Sequence, residues 1–294
     1  MNTKLIYRFI KLYYSDKMAV FYSLLGAIVV ILLYFLFLAK NQVNHIIEQT
    51  NGLVGQKEVS YLVHSMILSG LLSVTSLTSV LGAYGTMVAD WETHIMMDFR
   101  SSPLKIWEYP LASALSSWFV GVLISGLSLL LYGTCIYLAT GYSFSINQIS
   151  LTLLLILFSA LFSALFMGAI CSIIRTMRTY SGISLLVGTF IGFANGLYVP
   201  ITSLSESVKN VLTVLPFIHT ASLYREVLCQ KAITMVFKDA PNHIQNSYMS
   251  QIGLSLQLGQ LKISQLFSLT YLSVISLISF VIMLISWTKK AKQI

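Results

Sequence analysis

Residues 89–110 read ADWETHIMMDFRSSPLKIWEYP. They lie between two apolar runs, Leu62–Ala89 and Leu111–Ala139, and hold four of the chain's ten acidic residues: Asp90, Glu92, Asp98 and Glu108. Arg100 and Lys105 stand among them. Trp91, Ile95, Met96 and Phe99 recur at i, i+4, i+5 and i+8, the spacing of one helix face. The stretch therefore predicts a short helix, apolar on one side and charged on the other. Ser101-Ser102-Pro103 ends it, because proline disfavours helix in the residue before it. A chain that only had to turn between two apolar segments has no need of an ordered amphipathic helix. Asp90–Pro110 is expected to be presented to something.

Composition sets the frame around this stretch. Hydrophobic residues make up 56% and charged residues 10% of the 294 residues, and mean hydropathy is +0.79. Soluble domains carry nearer 25% charged residues. Six uncharged apolar runs are long enough to span a bilayer as helices: Met18–Ala39, Leu62–Ala89, Leu111–Ala139, Ile149–Ile174, Gly182–Ile201 and Ser264–Trp287. The expectation is an all-α polytopic membrane protein, one transmembrane domain over residues 1–294 with six transmembrane helices.

A net charge of +8 could suggest nucleic acid, but the positions of the cations argue against it. With the amino terminus inside, Lys4, Arg8, Lys11, Lys17, Arg100, Lys105, Arg175, Arg178, Lys289, Lys290 and Lys292 fall on the cytoplasmic side. The short outer loops keep only Lys40 and Lys57. The positive-inside rule then places both termini in the cytoplasm and makes the bilayer the partner, with no nucleic acid. Cys135, Cys171 and Cys229 show neither paired nor metal-like spacing, so no disulfide is expected. The first 17 residues and the long run after them fit a retained first span better than a cleaved signal.

In residues 3–17, Lys4, Arg8, Lys11 and Ser15 form one polar stripe, with Ile6, Phe9, Ile10, Tyr13 and Tyr14 opposite. This predicts an amphipathic N-terminal interfacial helix on the inner leaflet, its cations toward anionic lipid. The second run is studded with hydroxyls, among them Thr75, Ser79 and Thr86. These suit close helix packing or a share in lining a transport path. Ser159, Ala160, Ser163, Ala164 and Gly168 make a packing stripe on the fourth run. On the fifth, Gly188, Gly192 and Gly196 form two overlapping G-x-x-x-G steps, a groove for a neighbouring helix. Asn195 lies near its outer end, and Tyr198 and Pro200 are expected to terminate it. Ser203 and Glu206 then read as a capping box. It opens a short amphipathic helix that runs to Pro216, followed by a second helical stretch at about Thr220–Lys231. Together they predict short re-entrant helices after the fifth span, within an outer segment 202–262.

No run contains Asp, Glu, Lys or Arg, which argues against ion-coupled transport and voltage sensing. No Gly-Lys pair occurs anywhere, so the chain has no phosphate-binding loop of its own. His45 and His64 are isolated, and no catalytic or metal constellation is present. Any work done here is expected to draw its energy from another protein.

The order of these pieces resembles the permease subunit of type-2 ABC exporters, of the multidrug- and toxin-export kind. It rests on the amphipathic first helix, the six spans, the acidic segment closing in Arg100-Ser101-Ser102-Pro103, and a fifth span leading into Gly196-Leu197-Tyr198-Val199-Pro200, Leu215-Pro216 and Arg225. The resemblance implies that residues 90–110 are a coupling segment seated on a cytoplasmic ABC ATPase. Asp90, Glu92, Asp98 and Arg100 would supply polar contacts, with Trp91 and Phe99 as apolar anchors. It implies that residues 3–17 form a connecting helix beside that segment. It implies two ATPase copies, with ATP and Mg held on them, and a second permease copy or paralogue. Thr75, Ser79, Thr86, Asn195 and Tyr198 would border the substrate path. The charge-free spans then suit an amphiphilic or hydrophobic cargo: a drug, a peptide toxin, a pigment or a lipid-like molecule. The setting is the plasma membrane of a bacterium, with a hint of a Gram-positive one. Two other readings stand beside this: export of a lipid-linked cell-surface polysaccharide precursor, and a non-transporting membrane sensor or immunity subunit.

Overall fold

The structure is a computed structural model, and it describes residues 3–33, 39–49, 54–100, 102–198, 205–238, 257–258 and 261–292. The helix Gln56–Glu92 runs through its centre. At 1.5 Å per residue its 37 residues extend about 55 Å, well beyond a hydrocarbon core of about 30 Å. In its most apolar window 83% of the residues are buried, against 28% in the last helix. The hydroxyls that stud it explain how it can be central. Ser65, Ser69, Thr75, Ser76, Ser79 and Thr86 each donate to a carbonyl three or four residues earlier. Small side chains that satisfy themselves let neighbours approach closely.

In chain order the helices are α1 (Thr3–Ser15), α2 (Lys17–Leu33), α3 (Ala39–Gln49), α4 (Gln56–Glu92), α5 (Ile95–Arg100), α6 (Glu108–Thr140), α7 (Ile146–Ile173), α8 (Met177–Ala194), α9 (Glu206–Val214), α10 (Pro216–Val236) and α11 (Gln265–Lys292). Among the described residues the only strands are β1 (Gln257–Leu258) and β2 (Leu261–Lys262), an antiparallel pair. Among the described residues four helices are long and apolar enough to cross a membrane: α4, α6, α7 and Gln265–Ala291 of α11. The first and fifth apolar runs form α2 and α8, of 17 and 18 residues. Residues 34–38 and 199–201 of those runs lie outside the described part.

α4 packs most extensively on α6 and α10, then on α7 and α8, while α11 lies along α7. The predicted stripe on the fourth run is at this centre, with Ser159, Ala160, Ser163, Ala164 and Gly168 all buried. A Cβ on Gly168 would lie 2.5 Å from the Tyr84 hydroxyl and 2.7 Å from Met283 sulfur, and Tyr84 donates to the Ala164 carbonyl at 2.7 Å. Gly121 plays the same part between α6 and α4, where a Cβ would meet Val80 at 2.6 Å. His64 is buried and pairs through Nδ1 with the Tyr132 hydroxyl at 2.9 Å.

Three local expectations are corrected. α8 ends at Ala194, before Tyr198 and Pro200. Asn195 is its C-cap and Gly196 follows at φ 65°. The Gly196 amide donates to the Phe193 carbonyl and the Leu197 amide to the Gly192 carbonyl, the paired bonds of a Schellman stop. α9 stops at Val214, and Pro216 is the first residue of α10, where a missing N–H costs nothing. α10 is 21 residues long and mostly buried, longer at both ends than the helical stretch expected at about Thr220–Lys231. Ser203 lies outside the described residues; the N-cap of α9 is Ser205. A capping box does occur elsewhere, between Ser145 and Gln148 at the start of α7.

Candidate functional site

The turn from α4 to α6 is built in two pieces. α4 continues through Trp91 and Glu92, then breaks at Thr93-His94, where His94 has φ 63°. His94 donates to the Trp91 carbonyl and accepts from Met97, so it serves as the corner between α4 and α5. Ser102 closes α5 by donating to the Phe99 carbonyl at 2.6 Å. The predicted stop before Pro103 holds; the single helix from Trp91 to Phe99 does not.

The inner side of this turn is gripped by both ends of the chain. Asp90 is buried, and its carboxylate accepts a fork from Arg8 at 2.6 and 2.9 Å and a third bond from the Tyr109 hydroxyl at 2.5 Å. Those hydrogen bonds outweigh the cost of burial and hold the Arg8 guanidinium above its ordinary pKa, so it stays charged. The Arg8 guanidinium also lies 5.1 Å from the Phe99 ring centre, and Phe99 tilts against Tyr109 at 5.4 Å. Phe9 meets the edge of Tyr109 at 5.2 Å, and Ser116 of α6 donates to the Ile6 carbonyl of α1. α1 is thereby fastened to α4 and α6.

On the opposite flank, Trp91 meets Trp287 of α11 edge-on at 5.6 Å, and Trp287 stacks on Tyr109 at 5.1 Å. Lys290 sits 4.1 Å over the Trp91 ring and 5.5 Å from Trp287, and it donates to the Ile174 carbonyl. Glu92 accepts from the Met177 amide at 3.2 Å, at the start of α8, where a carboxylate suits the positive helix end.

Several residues expected to meet an ATPase make contacts within the chain. Asp90 is engaged inside the chain, and Trp91 and Phe99 are half-buried in the clusters just described. Arg8 turns to Asp90 instead of to lipid, and Lys290 is buried. Glu92, Thr93, His94, Ile95, Met97 and Asp98 are exposed, and so are Lys105, Ile106 and Trp107 beyond Pro103. Arg100 is the last residue of α5. Tyr109, Trp287 and the pairing of Arg8 escaped the sequence reading. One signal was present: Arg8 is the one arginine among the lysines of α1, and arginine is the cation suited to a two-pronged carboxylate contact.

The residues expected to border a path differ in exposure and in their partners. Thr75 and Ser79 are buried with their hydroxyls spent on α4 itself, and Thr86 is bonded likewise. Asn195 is fully buried. Its side chain donates to Ser73 at 2.9 Å, and its carbonyl accepts from Arg225 of α10. Ser73 and Thr220 are 2.5 Å apart, and Tyr224 pairs with Ser159 at 2.6 Å. Gln148 donates to the Val227 and Leu228 carbonyls. α10 is thus pinned from mid-helix residues of α4 and α7 outward to the first turn of α7. Tyr198 is exposed at 38% and rests edge-on against Phe193. The three glycines of α8 have separate roles. Gly188 faces open space, Gly192 is covered by the Tyr198 ring, and Gly196 is the left-handed stop. Cys229 is buried, and the three cysteines are free.

Four long apolar helices around a buried centre, with a charged turn braced at one end, define a polytopic helical membrane protein. The family model for ABC-2 type transporters matches residues 3–229. The chain belongs to that family. No curated protein matched it. Family membership makes the chain a permease without an ATPase motif, of a kind that works with a cytoplasmic ABC ATPase.

Proposed function

We propose that this chain is the membrane subunit of an ATP-driven exporter for an amphiphilic or hydrophobic compound. Two such permeases and two ATPases form the working unit. ATP and Mg bind on the partner, and nucleotide binding drives the spans from inward-open to outward-open. The chain crosses the plasma membrane of a bacterium six times, α2 and α8 completing the set, with both termini cytoplasmic. α9 and α10 form a re-entrant pair on the outer side.

The observation that carries this reading is the two-sided build of residues 90–110. Their inner side is locked to α1, α6, α8 and α11. Their outer edge leaves Ile95, Met97, Ile106 and Trp107 exposed between Glu92, Asp98 and Lys105. An apolar patch with a charged rim on a rigid support is the anatomy of a protein interface. Ile95, Met97, Ile106 and Trp107 are therefore the anchors for the ATPase, in place of Trp91 and Phe99, and Glu92, Asp98 and Arg100 are the polar rim. The exposed face of α8, with Leu185, Gly188, Phe190 and Phe193, meets the second permease, and Tyr198 stands at the outer rim of the path between them.

The test is co-purification of the tagged permease with the ATPase encoded beside it, followed by vanadate-sensitive ATP hydrolysis. The wild-type pair is expected to co-elute and hydrolyse ATP. Met97→Asp with Trp107→Ala is expected to lower co-elution at least tenfold, and the double change Glu92→Ala, Arg100→Ala to reduce hydrolysis. Wild-type co-elution in Met97→Asp/Trp107→Ala would overturn the assigned docking face.

A further inference from the structure

We infer that the carboxy-terminal end of α11 is a second positioning arm for the coupling segment, with Lys290 as its key residue. This rests on the reading of residues 90–110 as the ATPase contact and adds an input to it from the opposite end of the chain.

Three features of Lys290 go beyond an ordinary basic stop after a membrane helix. It is 5% exposed although two other lysines, Lys289 and Lys292, flank it. Its ammonium lies over the face of Trp91, at 4.1 Å, with Trp287 as a second wall at 5.5 Å. A buried ammonium over an indole gains from the negative face of the ring, more so out of water. The same group donates to the carbonyl of Ile174, the C-cap of α7, where the helix end carries partial negative charge. One side chain thus ties the end of α11, the end of α7 and the last turn of α4 to a single point.

Trp91 adjoins Asp90 and Glu92, so this point belongs to the frame of the coupling segment. Trp287 stacks on Tyr109, and Tyr109 donates to Asp90, which holds Arg8. An unbroken line of contacts runs from Lys290 to Arg8 through Trp287, Tyr109 and Asp90, with Trp91 beside Asp90 under the Lys290 ammonium. A push on α5 therefore reaches α11 and α7 through Trp91 and Lys290, while Arg8 carries it to α1. Lys290 acts through Trp91 and touches neither nucleotide nor cargo.

The test uses Lys290→Met, which keeps the length of the side chain and removes the charge, and Lys290→Arg, which keeps the cation over the ring. The full-length permease is prepared in lipid nanodiscs with Trp118 replaced by phenylalanine, leaving Trp91, Trp107 and Trp287 as emitters. Lys290→Met is expected to change the intensity or wavelength of tryptophan emission, and Lys290→Arg to restore it. In the permease–ATPase complex, Lys290→Met is expected to co-elute normally yet lower vanadate-sensitive hydrolysis at least fivefold, with Lys290→Arg within twofold of wild type. Unchanged emission in Lys290→Met, or changed emission with wild-type hydrolysis, would overturn the inference. A wild-type chain that hydrolyses no ATP with its partner would count instead against the exporter reading, and the emission series would still decide whether Lys290 holds the tryptophan pair.

Discussion

Replacing Arg8 by methionine isolates the contact that fastens α1 to the turn between α4 and α6. The substitution keeps an apolar stem of similar length and removes both prongs of the fork on Asp90. Asp90 then keeps one bond, from Tyr109, while its side chain remains only 7% exposed. Breaking a buried ion pair by deleting one member costs about 3–5 kcal/mol, because the other charge is stranded. Arg8 is 28% exposed on its side chain, so water reaches the gap in part, and about 2–3 kcal/mol is the expected loss. That corresponds to a change of about 30- to 150-fold in the unfolding equilibrium. Asp90→Asn should cost less, since an amide still accepts from Tyr109 and Arg8 can swing out to water. The sign of the double change is the sharp part. Arg8→Met with Asp90→Asn should be more stable than Arg8→Met alone, because no charge is left stranded. The assay is thermal unfolding of the purified chain in nanodiscs, with proteolysis at Lys4 and Lys11 reporting detachment of α1. An Arg8→Met cost below about 0.5 kcal/mol, or a double variant no better than the single one, would refute the lock.

The remaining predictions concern helix ends and the pinning of α10. Gly196→Ala places a Cβ at φ 65° and is expected to cost about 1–2 kcal/mol. Gly188→Ala meets nothing within 4 Å and is expected to leave the single chain as stable as before or firmer by up to about 1 kcal/mol; chemical unfolding of the monomer compares the two. Ser145→Ala removes the capping bond at the start of α7 and should cost about 1 kcal/mol. Gln148→Leu removes the donor to the Val227 and Leu228 carbonyls and should speed hydrogen exchange in α10 before α7; equal protection of α10 in both proteins would show that Gln148 is not its anchor.

The sequence made visible whatever depended on short spacing or on the absence of charge. The long apolar helices, the hydroxyl-rich centre and the packing stripe on α7 all follow from local composition, and the bundle forms around them. What stayed hidden depended on which distant residue would fill a demand the local sequence had created. Asp90 sits at the edge of an apolar run and needs a cation, but nothing within 20 residues says that the cation is Arg8 and not Arg100. The same limit explains the glycines of α8. Four-residue spacing puts Gly188, Gly192 and Gly196 on one face, yet spacing cannot tell an open surface from a seat for a ring or a left-handed stop. Only the return of Tyr198 onto Gly192 and the positive φ of Gly196 separate the three.

The turn at residues 90–110 joins both lessons. Its spacing put Trp91, Ile95, Met96 and Phe99 on one apolar face, but an apolar face beside an apolar bundle has two partners open to it: another protein, or the bundle itself. Trp91 and Phe99 turn inward, where Lys290 and Trp287 meet the first and Arg8 and Tyr109 the second, cations and rings drawn from distant parts of the chain. Exposed among the described residues of the turn are Ile95 and Met97 past the corner at His94, and Ile106 and Trp107 past Pro103. The break at Thr93-His94 divides the two faces, one fixed to the bundle and one exposed.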